Sequence, residues 1–261
     1  MEQDYSKYTK EDFTVWKTLF KRQMALFPKV AAKEYIDGIK TVDFTEDKIP
    51  NVADVNKRLE KITGWSMEVV PSIIPNEKFF PLIAQKKFPA TTWLRKLNQL
   101  DYLPEPDMFH DVLGHVPLLS NPHFSDFFTA IGKMGVKHLN NRWIIELLGR
   151  IYWFTVEFGL INDGTGLRIY GAGILSSHGE TKSSISDAPT HIPFSVNGIM
   201  DMPYENDRVQ DKYFVIKSFE QLFKSLSEIE ERIEKEVQLQ ARHKKDEFSK
   251  IHLHDGGTAS A

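Results

Sequence analysis

Residues 104–117 read PEPDMFHDVLGHVP, and how this stretch folds decides what the rest of the chain can do. His110 and His115 stand five positions apart, behind an acid-rich opening and ahead of a proline. On a continuous α-helix residues five apart lie about 140° from one another around the axis, too far to share a partner. The two imidazoles converge only if the regular helix is interrupted between them. Gly114 suits the left-handed residue that closes a helix, and Pro117 forbids its continuation. The expectation is therefore a chain turn at Gly114 that swings His115 back toward His110.

Two imidazoles at one point call for a third group. Glu157, in RIYWFTVEFGLI (150–161), is the candidate. Tyr152, Trp153, Phe154, Val156, Phe158, Leu160 and Ile161 surround it in sequence and leave a carboxylate little solvent. An unpaired buried charge is costly, so Glu157 needs a cation. Arg150 already has an i, i+4 partner in Glu146, which makes a metal ion the fitting counter-charge. Two imidazoles and one carboxylate leave coordination positions open, as in a catalytic zinc site or a non-haem ferrous one. The zinc protease signature sets its histidines four apart with a glutamate directly after the first. Here the gap is five and the next residue is Asp111, which favours iron.

Composition bounds the alternatives. A chain of 261 residues, 41% hydrophobic and 26% charged, can bury one large core. A formal net charge of −3 gives no field that would draw nucleic acid or an anionic membrane to the surface. The absence of cysteine excludes a disulfide framework, a thiolate metal cage and a thiol nucleophile. The opening MEQDYSKYTKEDF is polar and acidic where a secretory signal would be basic and then apolar, and no apolar run approaches the roughly 18 residues of a membrane span. A soluble, cytoplasmic protein is expected.

The apolar periodicity predicts a mainly α fold with a few short strands. TKEDFTVWKTLFKRQMALF (9–27) places Phe13, Trp16, Phe20, Met24 and Phe27 at helical spacing with Thr9 as cap. NVADVNKRLEKIT (51–63) reads as a helix ending at Gly64, and WSMEVVPSII (65–74) as a strand running into a turn. EKFFPLIAQKKF (77–88) reads as helical, with Pro81 in a first turn. NPHFSDFFTAIGKMGV and NRWIIELLGRIYWFTVEFGLI read as two helices, the second deeply buried. GLRIYGAG and KYFVI supply short β pieces in a loop-rich stretch over 162–215. A long helix over 218–250 carries Leu222, Leu226, Ile229, Ile233 and Val237 as its stripe, and 251–261 reads as a disordered tail. One catalytic domain over 1–250 follows.

LDYLPEPDMFHDVLGHVPLL, IYWFTVEFGLI and LRIYGAGILSSHGE together resemble the pterin-dependent aromatic amino acid hydroxylases, above all the short bacterial branch acting on phenylalanine. The likeness extends from about Trp16 to Phe219. It implies the mainly helical catalytic domain of that family, with Fe(II) held by His110, His115 and Glu157. It also implies a reaction in which dioxygen and a tetrahydropterin, tetrahydrobiopterin or a relative, convert L-phenylalanine to L-tyrosine. By position, Arg95 in TTWLRK is implied to clamp the substrate carboxylate, with Tyr102 and Leu103 beside it and Trp153 lining the ring pocket. Ser176 and Glu180 are implied to orient a histidine ligand and Arg95. The backbone of SIIPNE (Ser72, Ile74, Asn76), Phe79, Asp111 and Tyr152 are implied to frame the pterin, with Phe79 stacking on it. The partners implied are small molecules only, and the chain a monomer without a regulatory domain.

Some positions depart from the family pattern. His178 stands near the substrate where an apolar or aromatic residue is usual, and Leu103 replaces a common threonine. Asn206 and Asp207, in a loop tied to substrate choice, leave open a hydroxylase of tyrosine or tryptophan. From the metal ligands alone, a zinc hydrolase using the same triad and a non-catalytic amino acid binding module also stay open.

Overall fold

The computed structural model describes residues 1–101, 103–205 and 209–254, with the side chains of 244 and 246–254 left aside. Helix α1 (Lys10–Met24) begins where Thr9 predicts it. The Thr9 Oγ1 accepts from the Asp12 amide, and Asp12 accepts the Thr9 amide at 2.7 Å, a reciprocal cap. Trp16, Leu19, Phe20 and Gln23 face the core, whereas Phe13 lies on the surface and Phe27 opens the next helix, α2 (Phe27–Val30). Helices α3 (Lys33–Val42) and α4 (Val52–Ile62) follow, the latter capped by Asn51 and stopping short of Gly64 as expected.

Strand β1 (Ser66–Val69) leads to α5 (Asn76–Ala84), where Pro81 lies in the helix interior and not in its first turn. The helix tolerates it because the carbonyl it leaves unpaired, that of Glu77, is on an exposed turn open to water. The segment after α5 corrects a second expectation. Lys86 takes a left-handed φ of 58°, the helix stops, and Lys87–Ala90 form β2, parallel to β1.

The histidine stretch follows as a π-helical turn, Phe109–His115, then a 3-10 turn, Val116–Ser120, that accommodates Pro117. Helices α6 (Pro122–Lys137) and α7 (Arg142–Tyr152) are each capped by an asparagine, Asn121 and Asn141. A second π-helical turn, Trp153–Glu157, ends α7, and the GLI predicted to finish that helix enters strand β3 (Leu160–Asn162). Strand β4 (Leu167–Ile169), short helices α8 (Ala172–Leu175) and α9 (His178–Ser183), strand β5 (Thr190–Pro193), helix α10 (Val196–Asp201) and strand β6 (Lys212–Ile216) complete the loop-rich part. The sheet order is β4-β3-β6-β5, with β3 antiparallel to β4 and parallel to β6.

The single helix expected over 218–250 is two, α11 (Phe219–Lys224) and α12 (Leu226–His254), parted at Ser225, whose hydroxyl bonds the Leu222 carbonyl at 2.7 Å. Leu222, Ile229 and Ile233 are buried on the body, and Gln240 meets Asn141 at 2.7 Å. The expected tail is helical through His254, and 255–261 lie outside the described residues. Among the described residues no helix is long and apolar enough to cross a membrane.

Helix α3 seats the first π-turn. Tyr35, fully buried, donates to the Leu113 carbonyl at 2.6 Å. Gly38 lies so close to the segment after His115 that a Cβ there would stand 2.2 Å from the Pro117 carbonyl oxygen. Gly38→Ala is therefore expected to lower stability by about 1–3 kcal/mol through forced backbone displacement. Urea unfolding measures it, and an unchanged midpoint would show that the contact has slack.

Candidate metal centre

A π-turn hydrogen-bonds i to i+5 and so carries more residues per turn than an α-helix. Positions five apart then stack on one face. That widening, and no left-handed break at Gly114, brings His110 and His115 together: the helical turn runs through Gly114 to His115, and the Nε2 atoms lie 3.3 Å apart. Gly114 is needed for another reason. A Cβ there would press on Ala172, 3.0 Å from its carbonyl oxygen and 3.1 Å from its methyl.

The second π-turn delivers the acid. Its closing bond runs from the Phe158 amide to the Trp153 carbonyl at 2.8 Å, and Glu157 emerges 8% exposed. Its Oε1 is 3.2 Å from His115 Nε2 and its Oε2 3.8 Å from His110 Nε2. Donor atoms about 2.0–2.2 Å from one ion stand roughly 3.0–3.5 Å apart along neighbouring edges, so the three residues fit a metal with little adjustment. Among the described residues they are the one such group, with all donor atoms within 4.8 Å of each other. Two imidazoles and a carboxylate on one face are the ligand set of non-haem ferrous oxygenases.

Burial alone would push the Glu157 carboxyl up. The His115 and His110 imidazoles and the Tyr152 hydroxyl, which donates at 2.7 Å, outweigh it and hold the group at about 2. Glu157 is thus an anion throughout the neutral range. His110 Nδ1 stands 2.8 Å from Ser176 Oγ, which leaves its Nε2 free for a metal. His115 packs on Phe88, ring centroids 4.7 Å apart, and its Nδ1 is buried with no described hydrogen-bond partner.

The other expected residues fall in two sets of contacts. Phe79 is half-buried and meets the Tyr152 ring edge-to-face at 5.4 Å, while its neighbour Phe80 is core. Tyr152 lies parallel to the His115 ring at 6.3 Å. Asp111 accepts both the amide and the hydroxyl of Thr91 at 2.8 Å, and burial pushes its carboxyl up. Ser72 and Ile74 are half-buried in the loop ahead of α5, and Asn76 is its exposed first residue. In the second set, Trp153 stacks on Tyr204 at 4.5 Å and donates to Gln210 at 3.2 Å. Leu103 is half-buried in the loop ahead of Asp107; Tyr102, Asn206 and Asp207 lie outside the described residues.

Two partnerships differ from expectation. Glu180 accepts from the Tyr213 hydroxyl and, at 3.2 Å, from the Gln210 amide; burial raises its pKa. Arg95 pairs instead with Asp107, a residue the sequence reading passed over. Arg95 Nε and Nη2 reach the two Asp107 oxygens at 2.9 and 2.8 Å, and Asp107 is fully buried. The same carboxylate accepts the His110 amide at 3.2 Å, three residues on, in the manner of a helix cap. That i, i+3 cap spacing ahead of the histidine is the signal that marks Asp107 in the sequence. Thr91 and Phe88 carried no comparable signal.

The family model for biopterin-dependent aromatic amino acid hydroxylases matches residues 3–251. The chain belongs to this family. A phenylalanine-4-hydroxylase of Ralstonia nicotianae is 46% identical over 224 residues, 85% of this chain and 71% of the relative. Among solved structures, the phenylalanine hydroxylase of Chromobacterium violaceum with iron(III) and oxidised 7,8-dihydrobiopterin is similar at 43% identity, with a TM-score of 0.84 over 90% of this chain and 86% of that one. The same enzyme with iron and phenylalanine is similar at 43% identity, with a TM-score of 0.81 over 86% and 82%.

His110→Ala and Glu157→Ala are expected to abolish ferrous iron binding, read by metal analysis after dialysis, while far-UV circular dichroism stays unchanged; retained iron in either variant would reassign the ligands. Arg95→Ala is expected to cost about 3–5 kcal/mol of stability, because it strands a buried Asp107 charge. Chemical denaturation of the apoprotein checks this, and a loss below about 1 kcal/mol would place the pair in effective solvent.

Proposed function

We infer that this protein is an iron monooxygenase that hydroxylates the ring of L-phenylalanine to L-tyrosine, consuming dioxygen and a tetrahydropterin. The observation that carries the reading is the convergence of His110, His115 and Glu157 on one point with 3.2–3.8 Å between donor atoms. The relatives, named as phenylalanine hydroxylases and solved with iron, a biopterin and phenylalanine, favour it over the zinc hydrolase and over hydroxylation of tyrosine or tryptophan.

When bound, the iron and the reduced pterin together supply the two-electron activation of dioxygen; the protein supplies placement. His110, His115 and Glu157 would hold the metal, a donor set that leaves coordination positions for other ligands. Tyr152, by donating to Glu157, keeps that carboxylate oriented. Arg95, fixed by Asp107, has N–H groups left for a substrate carboxylate, for which a guanidinium fork is well matched. Trp153, braced by Tyr204, offers a wall to the substrate ring, and Glu180 fixes the Gln210 backbone behind it. Phe79 is the stacking surface for the pterin, with Asp111, Tyr152, Ser72, Ile74 and Asn76 around it.

The chain works as a monomer in this reading, since Ile229 and Ile233 of the long helix are spent on its own body. A cytoplasmic setting suits a reaction that consumes a reduced pterin. Phenylalanine, tyrosine and tryptophan offered separately under oxygen, with ferrous iron and tetrahydrobiopterin, test the function by product analysis. Tyrosine from phenylalanine is expected, lost when iron, pterin or oxygen is withheld. Undiminished tyrosine formation without pterin, or turnover of another aromatic amino acid in preference, would overturn the assignment.

A further inference from the structure

Gln23 takes no part in the arrangement described so far, yet its side chain is 1% exposed on the core face of α1. A buried amide is costly unless both of its ends are satisfied. Here both are. Nε2 donates to the Leu175 carbonyl at 2.6 Å and to Thr181 Oγ1 at 3.1 Å, and Oε1 lies 3.2 Å from His178 Nδ1. An amide oxygen carries no proton, so His178 donates from Nδ1.

The three partners bracket one residue. Leu175 ends α8 immediately before Ser176, His178 opens α9 two positions after it, and Thr181 is one turn further on. Ser176 Oγ is the group 2.8 Å from His110 Nδ1, and it lies 3.4 Å from the Gly173 carbonyl, an acceptor for its proton. Helices α8 and α9, of four and six residues, are too short to hold their own geometry. Helix α1, with 15 residues and a reciprocal cap, is not. The serine that meets a metal ligand is therefore set on a weak segment and tied by one glutamine to a strong one.

We propose that Gln23 is a positioning residue of the metal centre, holding Ser176 against His110 through the Leu175 carbonyl and the His178 imidazole. The proposal rests on His110 being a metal ligand through Nε2. It gives His178, an unusual residue for the family pattern, a task toward α1 in place of one toward the substrate.

Anaerobic titration of apoprotein with ferrous iron tests it in the wild type, Gln23→Met, Ser176→Ala and the double variant, alongside thermal unfolding of each apoprotein. Methionine keeps the volume and removes the hydrogen bonds. Ser176→Ala is expected to weaken iron binding by about 10–100-fold and Gln23→Met by about 10-fold. Adding Gln23→Met to Ser176→Ala is expected to weaken it by less than about twofold more, since the glutamine acts through the serine. Equal weakening in both backgrounds, or none in either, overturns the proposal, because a purely structural glutamine would lower the unfolding temperature without coupling to Ser176. Unchanged affinity in Ser176→Ala would locate the failure earlier, in His110 as ligand, and the proposal would fall with it. Should Gln23→Met not fold, His178→Ala, on a half-exposed side chain, carries the same cycle with an expected loss of about threefold; an unchanged affinity there also overturns the proposal.

Discussion

A π-helical turn bonds less favourably than an α-turn and persists only where the surrounding packing holds it open. The turn Phe109–His115 is held by α3 and by α8. Tyr35 takes the Leu113 carbonyl, α3 presses Gly38 on the Pro117 backbone, and Ala172 fills the space that a side chain at Gly114 would need. Asp107 anchors its start through the His110 amide. Two of these contacts come from α3, one from α8 and one from the residue just ahead of the turn, so the spacing of the two histidines depends on segments distant in sequence. The second π-turn repeats the device at the end of α7 and turns Glu157 inward.

Burying Glu157 and two imidazoles together makes this the most demanding electrostatic site in the protein. A carboxylate at such depth survives as an anion because His115, His110 and the Tyr152 hydroxyl all favour its charged form. The same arrangement fixes its orientation. Phe88 packs on the His115 ring and Phe79 on the Tyr152 ring, so aromatic side chains support two of the residues at the site.

Most of the helical frame was legible because apolar spacing and side-chain caps act locally: Thr9, Asn51 and the buried face of α1 did what their positions predict. The three residues that converge were legible as well, since an acid enclosed by aromatic residues has few alternatives. The reason given for their convergence was not. A π-turn has no composition of its own, and Gly114 looks like a helix stop although it is a packing glycine. Strand β2 escaped because Lys87–Ala90 follows a helix without turn chemistry, and what makes it a strand is pairing with β1 some twenty residues earlier. Phe88 and Thr91 were lost with it, although one packs on His115 and the other bonds Asp111. The partners of Arg95 and Glu180 depend on loops that meet only in three dimensions.

Asp107 serves two masters with one carboxyl group. One oxygen receives both the Arg95 guanidinium and the His110 amide, so a buried cation and the backbone that carries a candidate metal ligand pivot on the same atom. A change at Asp107 therefore disturbs the Arg95 side chain and the start of the histidine turn together.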